Sequence, residues 1–247
     1  PQILMRAISW FVFAFFLAQP ILYSQDVAPQ WTKDAIWYQI VPERFRNGDR
    51  TNDPTLNDVE IPPARPWRTS LWTTDWYALE AWEKDYSPKF YDIVFDRRYG
   101  GDLQGVIDKL GYLSDLGISA IIFTPLFDAI SDHKFDASTY HHVDHNFGPD
   151  PRGDLRLLRE ETEDPVTWKW TSADTLFLKL VREAHKRGMK ILIDGVFTHS
   201  GTRFWAFRDV MKNQQQSRYA SWYDVRRWDD PATPQNEFLY RGWWDVK

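Results

Sequence analysis

Twice in this chain a helical pattern ends on a glycine and an apolar run follows at once. In the first case Leu103, Val106, Ile107, Leu110, Leu113 and Leu116 recur along one helix face, Gly117 stops the pattern, and Ile118 to Phe123 reads as a buried strand. In the second, Ser172 is the expected N-cap. Leu176, Leu180, Val181 and Ala184 mark the buried face, and Lys186 and Arg187 suit the negative helix end. Gly188 closes that helix and Met189 to Ile193 follows. Strands that are apolar without alternation belong to parallel sheets covered on both faces. Ala35 to Phe45 supplies an earlier strand, β-branched and aromatic until Pro42 breaks it. Strand, helix, strand, helix, strand is the order of a parallel sheet with right-handed crossovers. Asp194 then stands where the last strand meets the mouth of the sheet, the end at which parallel α/β proteins bind ligands.

The 247 residues allow one large domain or two small ones. Formal net charge is −5 with both signs interspersed, so no basic stripe points to nucleic acid. Cysteine is absent, which excludes disulfides, thiolate zinc sites and a cysteine nucleophile. The 14 tryptophans exceed what core filling obviously needs, and aromatic faces make platforms for sugar rings.

Met5-Arg6 followed by the apolar run Ala7 to Ala18 has the form of a secretory signal ending at Ser24. The run is too short for a spanning helix, which needs about 20 apolar residues. Pro1 to Leu4 precede the methionine and are set aside as upstream sequence. The expected organisation is a signal over residues 1–24 and a catalytic-type domain over 25–247, with insertions at about 47–99 and 128–171. The stretch Asn47-Gly48-Asp49-Arg50-Thr51-Asn52-Asp53 gathers oxygen side chains around a glycine turn, as a hard cation requires, and equally as a solvated turn does. Residues 55–99 are rich in Pro and Trp, and their aromatic content argues for an ordered insertion. His133, His141, His142 and His145 raise a zinc hypothesis, weakened because adjacent His141 and His142 face opposite ways in extended chain. Pro149 to Thr171 reads as a charged loop. Asp209 to Gln216 reads as a short helix, and no fourth strand is expected before Lys247.

Four stretches in this order resemble the α-amylase superfamily of glycoside hydrolases (family 13), especially its neopullulanase and cyclomaltodextrinase-like members. They are IWYQIVPERFRNGDRTNDP, RRYGGDLQGVIDKLGYLSDLGISAIIFTPLF, HKFDASTYHHVDHNFG and GMKILIDGVFTHSG. The likeness runs from about Trp31 to Lys247. It implies a (β/α)8 TIM barrel of which this chain carries the N-terminal portion, about three β/α units. It also implies cleavage of α-glucosidic bonds with retention, by one carboxylate nucleophile and one acid/base. Asp194 and His199 match a signature that shapes the site around the cleaved sugar. His133 and Phe135 match a histidine and an aromatic ring of the same subsite. Asn47, Asp49, Asn52 and Asp53, with Gly100 and Asp102, match a calcium site of some members.

Thr198 stands where the family usually has an Asn that ligates calcium in many amylases, so that second calcium is not expected here. Phe135 replaces the usual Tyr and loses a hydroxyl hydrogen bond worth on the order of 1 kcal/mol. The nucleophile Asp and acid/base Glu are expected beyond Lys247, so the chain is expected to be inactive alone. The implied partner is an α-glucan (starch, maltodextrin, cyclodextrin or pullulan). The implied destination is periplasmic or secreted, without stable membrane insertion after signal cleavage. Dimerisation of the full-length enzyme stays open. A rival reading is a non-catalytic carbohydrate-binding protein that uses the Trp-rich insertion.

Overall fold

The computed structural model describes residues 28–59, 67–73, 75–242 and 245–246. The expected signal, residues 1–24, lies outside the described residues. Residues 1–35 and 36–247 form separate units. The first contains one described helix, α1 (Gln30–Asp34). No helix among the described residues is long and apolar enough to cross a membrane.

The second unit is built on a parallel sheet of β1 (Trp37–Ile40), β2 and β3. After β1 come two short helices, α2 (Ala81–Tyr86) and α3 (Phe90–Ile93), then α4 (Leu103–Asp115) and β2 (Ala120–Phe123). Next are α5 (Pro151–Glu160), α6 (Ser172–Lys186) and β3 (Lys190–Ile193). The strand order is β1-β2-β3, with Ile40 opposite Phe123 and Phe123 opposite Ile193. Gly117 and Gly188 hold φ of +83° and +75°, the left-handed helix ends that glycine accepts without a Cβ penalty. Leu103, Val106, Leu110 and Leu113 of α4 meet Leu180 and Ala184 of α6 and the β2 residues Ile121 and Phe123 in one apolar core.

Several expectations need correction. The first strand ends at Ile40, because Pro42 opens a 3-10 turn, Pro42–Arg44, and the buried Glu43 carboxylate accepts the Gly100 amide at 2.9 Å. The N-cap of α6 is Thr171, which forms a capping box with Asp174. Ser172 is the first helical residue, and its hydroxyl donates to Asp154 at 2.8 Å. The charged stretch expected as a loop contains α5, because Asp150 caps it and Pro151 occupies the first helical turn, where proline costs nothing. The helix near Asp209 begins earlier, as α7 (Trp205–Asn213). Three short strands follow it: β4 (Val225–Arg227), β5 (Leu239–Gly242) and β6 (Asp245–Val246). They form their own antiparallel sheet and do not extend the parallel one. Finally, β2 is covered on both faces but β3 is not. Leu192 and Ile193 are 44% and 42% exposed, since β3 is the edge strand of the described sheet.

The insertion after Asn52 has its own buried centre. Arg97 meets Glu83 at 2.6 Å with both side chains almost fully buried. Trp82 is buried beside Trp67, whose indole N–H donates to the Asp96 carbonyl at 3.0 Å. Trp76 stacks on Tyr99.

Candidate functional site

Because the three strands are parallel, the segments after Ile40, Phe123 and Ile193 leave the sheet at the same end. His133 and Phe135 lie in the segment after β2, Asp194 and His199 in the segment after β3, and the oxygen-rich loop in the segment after β1.

The segment after β2 doubles back on itself. Phe127 bridges Val143, and Ala129 bridges Ala137, both antiparallel. At its turn Lys134 adopts φ +61°, a left-handed conformation that is costly for a residue with a Cβ. Its ammonium is buried and donates to the Ala129 carbonyl at 2.7 Å and to Asp144 at 2.6 Å. The strained turn sends His133 and Phe135 outward, both exposed, with ring centroids 4.8 Å apart. The Phe135 amide donates to His133 Nδ1 at 3.1 Å, which places the proton of a neutral ring on Nε2.

The segment after β3 begins with Asp194, whose amide continues the ladder to the Phe123 carbonyl at 2.9 Å. Its exposed carboxylate accepts the Gly195 amide at 2.8 Å. His199 is half-buried, with Nδ1 3.3 Å from the Thr198 hydroxyl. Tyr140 and Gly201 join this segment to the hairpin. The Tyr140 hydroxyl lies 2.8 Å from both the Val196 and His199 carbonyls and donates its proton there. The Gly201 amide donates to Ala137 at 3.0 Å. Burial raises the Tyr140 pKa, so the hydroxyl stays a donor. Sequence reasoning passed over Tyr140 and Lys134. Their only signal was position, between a histidine and an aromatic ring for Lys134 and beside paired histidines for Tyr140.

The oxygen-rich loop folds onto the start of α4. Asp102 is the α4 N-cap and is fully buried. One of its oxygens accepts the Gly105 amide at 2.6 Å, and the other accepts Gly48 and Asp49 amides at 3.1 and 2.8 Å. Asn47 donates to Asp53 at 2.5 Å. Asp49 turns to cap the next 3-10 turn through Thr51. Gly100, at φ +70°, closes the ring; a Cβ there would lie 2.5 Å from the Asp53 carboxylate. Two side-chain oxygens, Asn47 Oδ1 and Asn52 Oδ1, are buried without a hydrogen-bond partner. Burial raises the pKa of Asp53 and of Asp102, and the Asp102 charge adds to the rise at Asp53. Orphaned carbonyl oxygens beside two carboxylates whose ionisation burial opposes are a donor set that a hard cation would satisfy.

Three of the four histidines that raised the zinc hypothesis, His141, His142 and His145, are already engaged. His142 bridges Asp174, at 2.6 Å from Nδ1, and Glu161 at Nε2. His145 bridges Asp128 at 2.6 Å and Asp58 at 3.2 Å. His141 lies against Trp168, with centroids 3.8 Å apart. Burial would lower the His145 pKa, but the charge of Asp144 and hydrogen bonds to Asp128 and Asp58 outweigh it and raise the value to about 10. His142 is likewise pulled down by burial and pushed up overall by Asp174 and Glu161. An imidazolium with both nitrogens protonated has no lone pair for a metal. Asp128, Asp144 and His145 lie close enough together to hold an ion, but Lys134 and His145 themselves supply the positive charge there.

A parallel β/α sheet with its polar residues on the loops beyond the strand ends defines the barrel-enzyme layout. Residues 39–164 and 169–247 match the alpha-amylase catalytic domain, and the chain belongs to that family. Neopullulanase 2 of Thermoactinomyces vulgaris is 38% identical over 212 residues, covering 86% of this chain and 27% of the relative. A cyclomaltodextrinase of Thermoanaerobacter pseudethanolicus is 36% identical over 225 residues, covering 90% and 30%. Among solved structures, a cyclic alpha-maltosyl-(1→6)-maltose hydrolase from Arthrobacter globiformis, in complex with maltose, is 30% identical with a TM-score of 0.58. That match covers 88% of this chain and 38% of the other. The chain therefore spans less than a third of the length of these curated relatives. The sheet is the N-terminal portion of their (β/α)8 barrel.

Proposed function

We propose that this chain is part of an exported glycoside hydrolase that acts on α-1,4-glucans with retention of configuration. The observation that carries the reading is that His133 and Phe135, and Asp194 and His199, leave adjacent parallel strands at one end of a sheet of the alpha-amylase family. The names of the relatives, a neopullulanase and a cyclomaltodextrinase, support the substrate class. In this reading Phe135 stacks on a sugar ring, His133 and His199 donate to its hydroxyls, and Asp194 accepts from them. We assign no residue of this chain as nucleophile or acid/base. The apolar run behind Arg6 supports export.

Asn47, Asp49, Asn52, Asp53 and Asp102 with the Gly100 carbonyl would hold calcium, which would supply positive charge to the orphaned oxygens and the Asp53–Asp102 pair. Its part is structural, fastening the loop after β1 to the start of α4.

Isothermal titration of the 247-residue chain with maltohexaose tests the glucan site. Asp194→Ala and His199→Ala should each weaken binding at least tenfold, while Trp72→Ala, in the insertion, should leave it unchanged. The reverse pattern would replace the hydrolase reading with the carbohydrate-binding one.

A further inference from the structure

A groove of about 1570 Å³ runs between α5, the outer side of the 128–141 hairpin, α7 and the turns around Trp168 and Trp222. None of the residues assigned above to the glucan site or the cation loop lines it. Its size exceeds the roughly 300–1,000 Å³ of common small-molecule pockets and suits a chain of several rings.

Its aromatic walls are held in place before any ligand arrives. The Trp168 indole N–H donates to the Thr162 carbonyl at 2.9 Å while one ring face rests on His141. Trp205 packs edge-on against Tyr219 at 4.9 Å and Trp222 at 6.1 Å. Trp168, Trp205 and Trp222 nonetheless remain 39%, 38% and 60% exposed. Rigid, half-open aromatic faces bind at low entropic cost.

The charges are sorted as well. Of the groove's acids, Asp128 is paired with His145, Glu161 with His142 and Glu163 with Arg218. Asp164 is spent on capping a turn through the Val166 amide. The guanidinium groups of Arg159, Arg203 and Arg208 make no hydrogen bond or ion pair to any described residue. Burial lowers the His141 pKa, so that ring stays neutral. The lining carries four arginines and four carboxylates and so balances overall, but each of those carboxylates already has a partner in the fold while three of the guanidinium groups do not. Those three unengaged guanidinium groups suit one or two oxyanions. They do not suit a polymer with a phosphate at every unit, because the groove's own carboxylates would repel it.

We propose that this groove is a second saccharide site, selective for sugar chains that carry an oxyanion substituent, either a phosphate ester or a uronate carboxylate. Tryptophan faces take the rings, and guanidinium forks of Arg159, Arg203 and Arg208 take the anion in bidentate fashion. This goes beyond the glucan-hydrolase reading and does not depend on it.

The test is calorimetric titration of the 247-residue chain with maltohexaose, maltohexaose bearing one phosphate monoester, maltohexaose bearing one uronate unit, inorganic phosphate and hexathymidylate. The phosphorylated chain should bind at least tenfold more tightly than maltohexaose, with the gap narrowing in high salt. Arg203→Glu with Arg208→Glu should abolish the preference, and Trp205→Ala should weaken anionic-chain binding. Asp194→Ala should leave the preference intact. Binding of the uronate-bearing chain on a par with the phosphorylated chain would point to any oxyanion, and weaker binding to the phosphate ester; either result supports the site. Equal affinity for neutral and phosphorylated chains overturns the proposal. So does inorganic phosphate or hexathymidylate binding as tightly as the phosphorylated sugar. Loss of maltohexaose binding on Asp194→Ala without any anion preference would sink the groove alone, and an anion preference without an Asp194 effect would sink the glucan site alone.

Discussion

Lys134 shows how one side chain can hold a site residue pair in place without joining the chemistry. A left-handed conformation at a residue with a Cβ costs about 1–3 kcal/mol. The buried ion pair with Asp144 offsets that cost, and the Ala129 carbonyl takes a second ammonium proton. Lys134→Met keeps the aliphatic stem and the backbone strain but takes from the fully buried Asp144 carboxylate its direct ion-pair partner, leaving the nearby His145 as the remaining positive charge. Removing one partner of a buried pair costs about 3–5 kcal/mol. Urea unfolding should therefore show that loss, and Lys134→Met with Asp144→Asn should recover part of it. A single-variant loss below about 1 kcal/mol would mean that the Asn146 and Ala129 amides on Asp144 suffice to hold the hairpin. The sequence puts Lys134 in view only as the residue between His133 and Phe135. Its partner is ten positions away and its strain is a backbone property that no side-chain pattern displays.

At the scale of elements, the loop after β2 is clamped to the insertion after β1 by the buried imidazolium His145 between Asp128 and Asp58. The folded pKa of His145, about 10, exceeds the unfolded value of 6.5. Its contribution to stability is thus complete below pH 6.5 and is lost as pH rises through about 10. Asp58 works at the other end. Burial opposes its ionisation, but His145 and Thr55 lower its pKa from 3.8 to about 2, so its contribution is present above pH 3.8 and lost as pH falls towards 2. Thermal midpoints measured from pH 6 to 10 should fall across that range, and His145→Asn should flatten the decline. An equally steep decline in the variant would assign it to other groups. The helices and strands of the sheet were legible because apolar spacing and the stops at Gly117 and Gly188 are local signals. The helix α5 was not, since Pro151 and Gly153 look like loop punctuation until Asp150 is known to cap them. Nor were the roles of the histidines. Asp58 is 87 residues from His145, and Asp174 is 32 from His142, so residues that look like metal ligands in sequence become cations only once the chain is folded.

Across the whole molecule, burial is uneven. The core between α4, α6 and β2 is closed, whereas Leu192 and Ile193 leave an apolar edge on β3. The loop of Asn47, Asp49, Asn52 and Asp53 is held instead by polar contacts, to α4 through backbone amides on Asp102 and to the 146–148 turn through the buried Asn52. Its two unpartnered amide oxygens are a cost that a cation would offset. If calcium binds only the folded chain, a concentration one hundred times its dissociation constant adds about 2.7 kcal/mol of stability. For a chain of this size that corresponds to a rise in thermal midpoint of about 5–10 °C. Scanning calorimetry in calcium against a chelator should show the rise, magnesium should reproduce little of it because the smaller ion resists dehydration, and Asp53→Asn should remove most of the response. A midpoint that ignores calcium, or a response that survives Asp53→Asn with Asn47→Ala, would leave those buried oxygens as a structural cost that the rest of the fold absorbs.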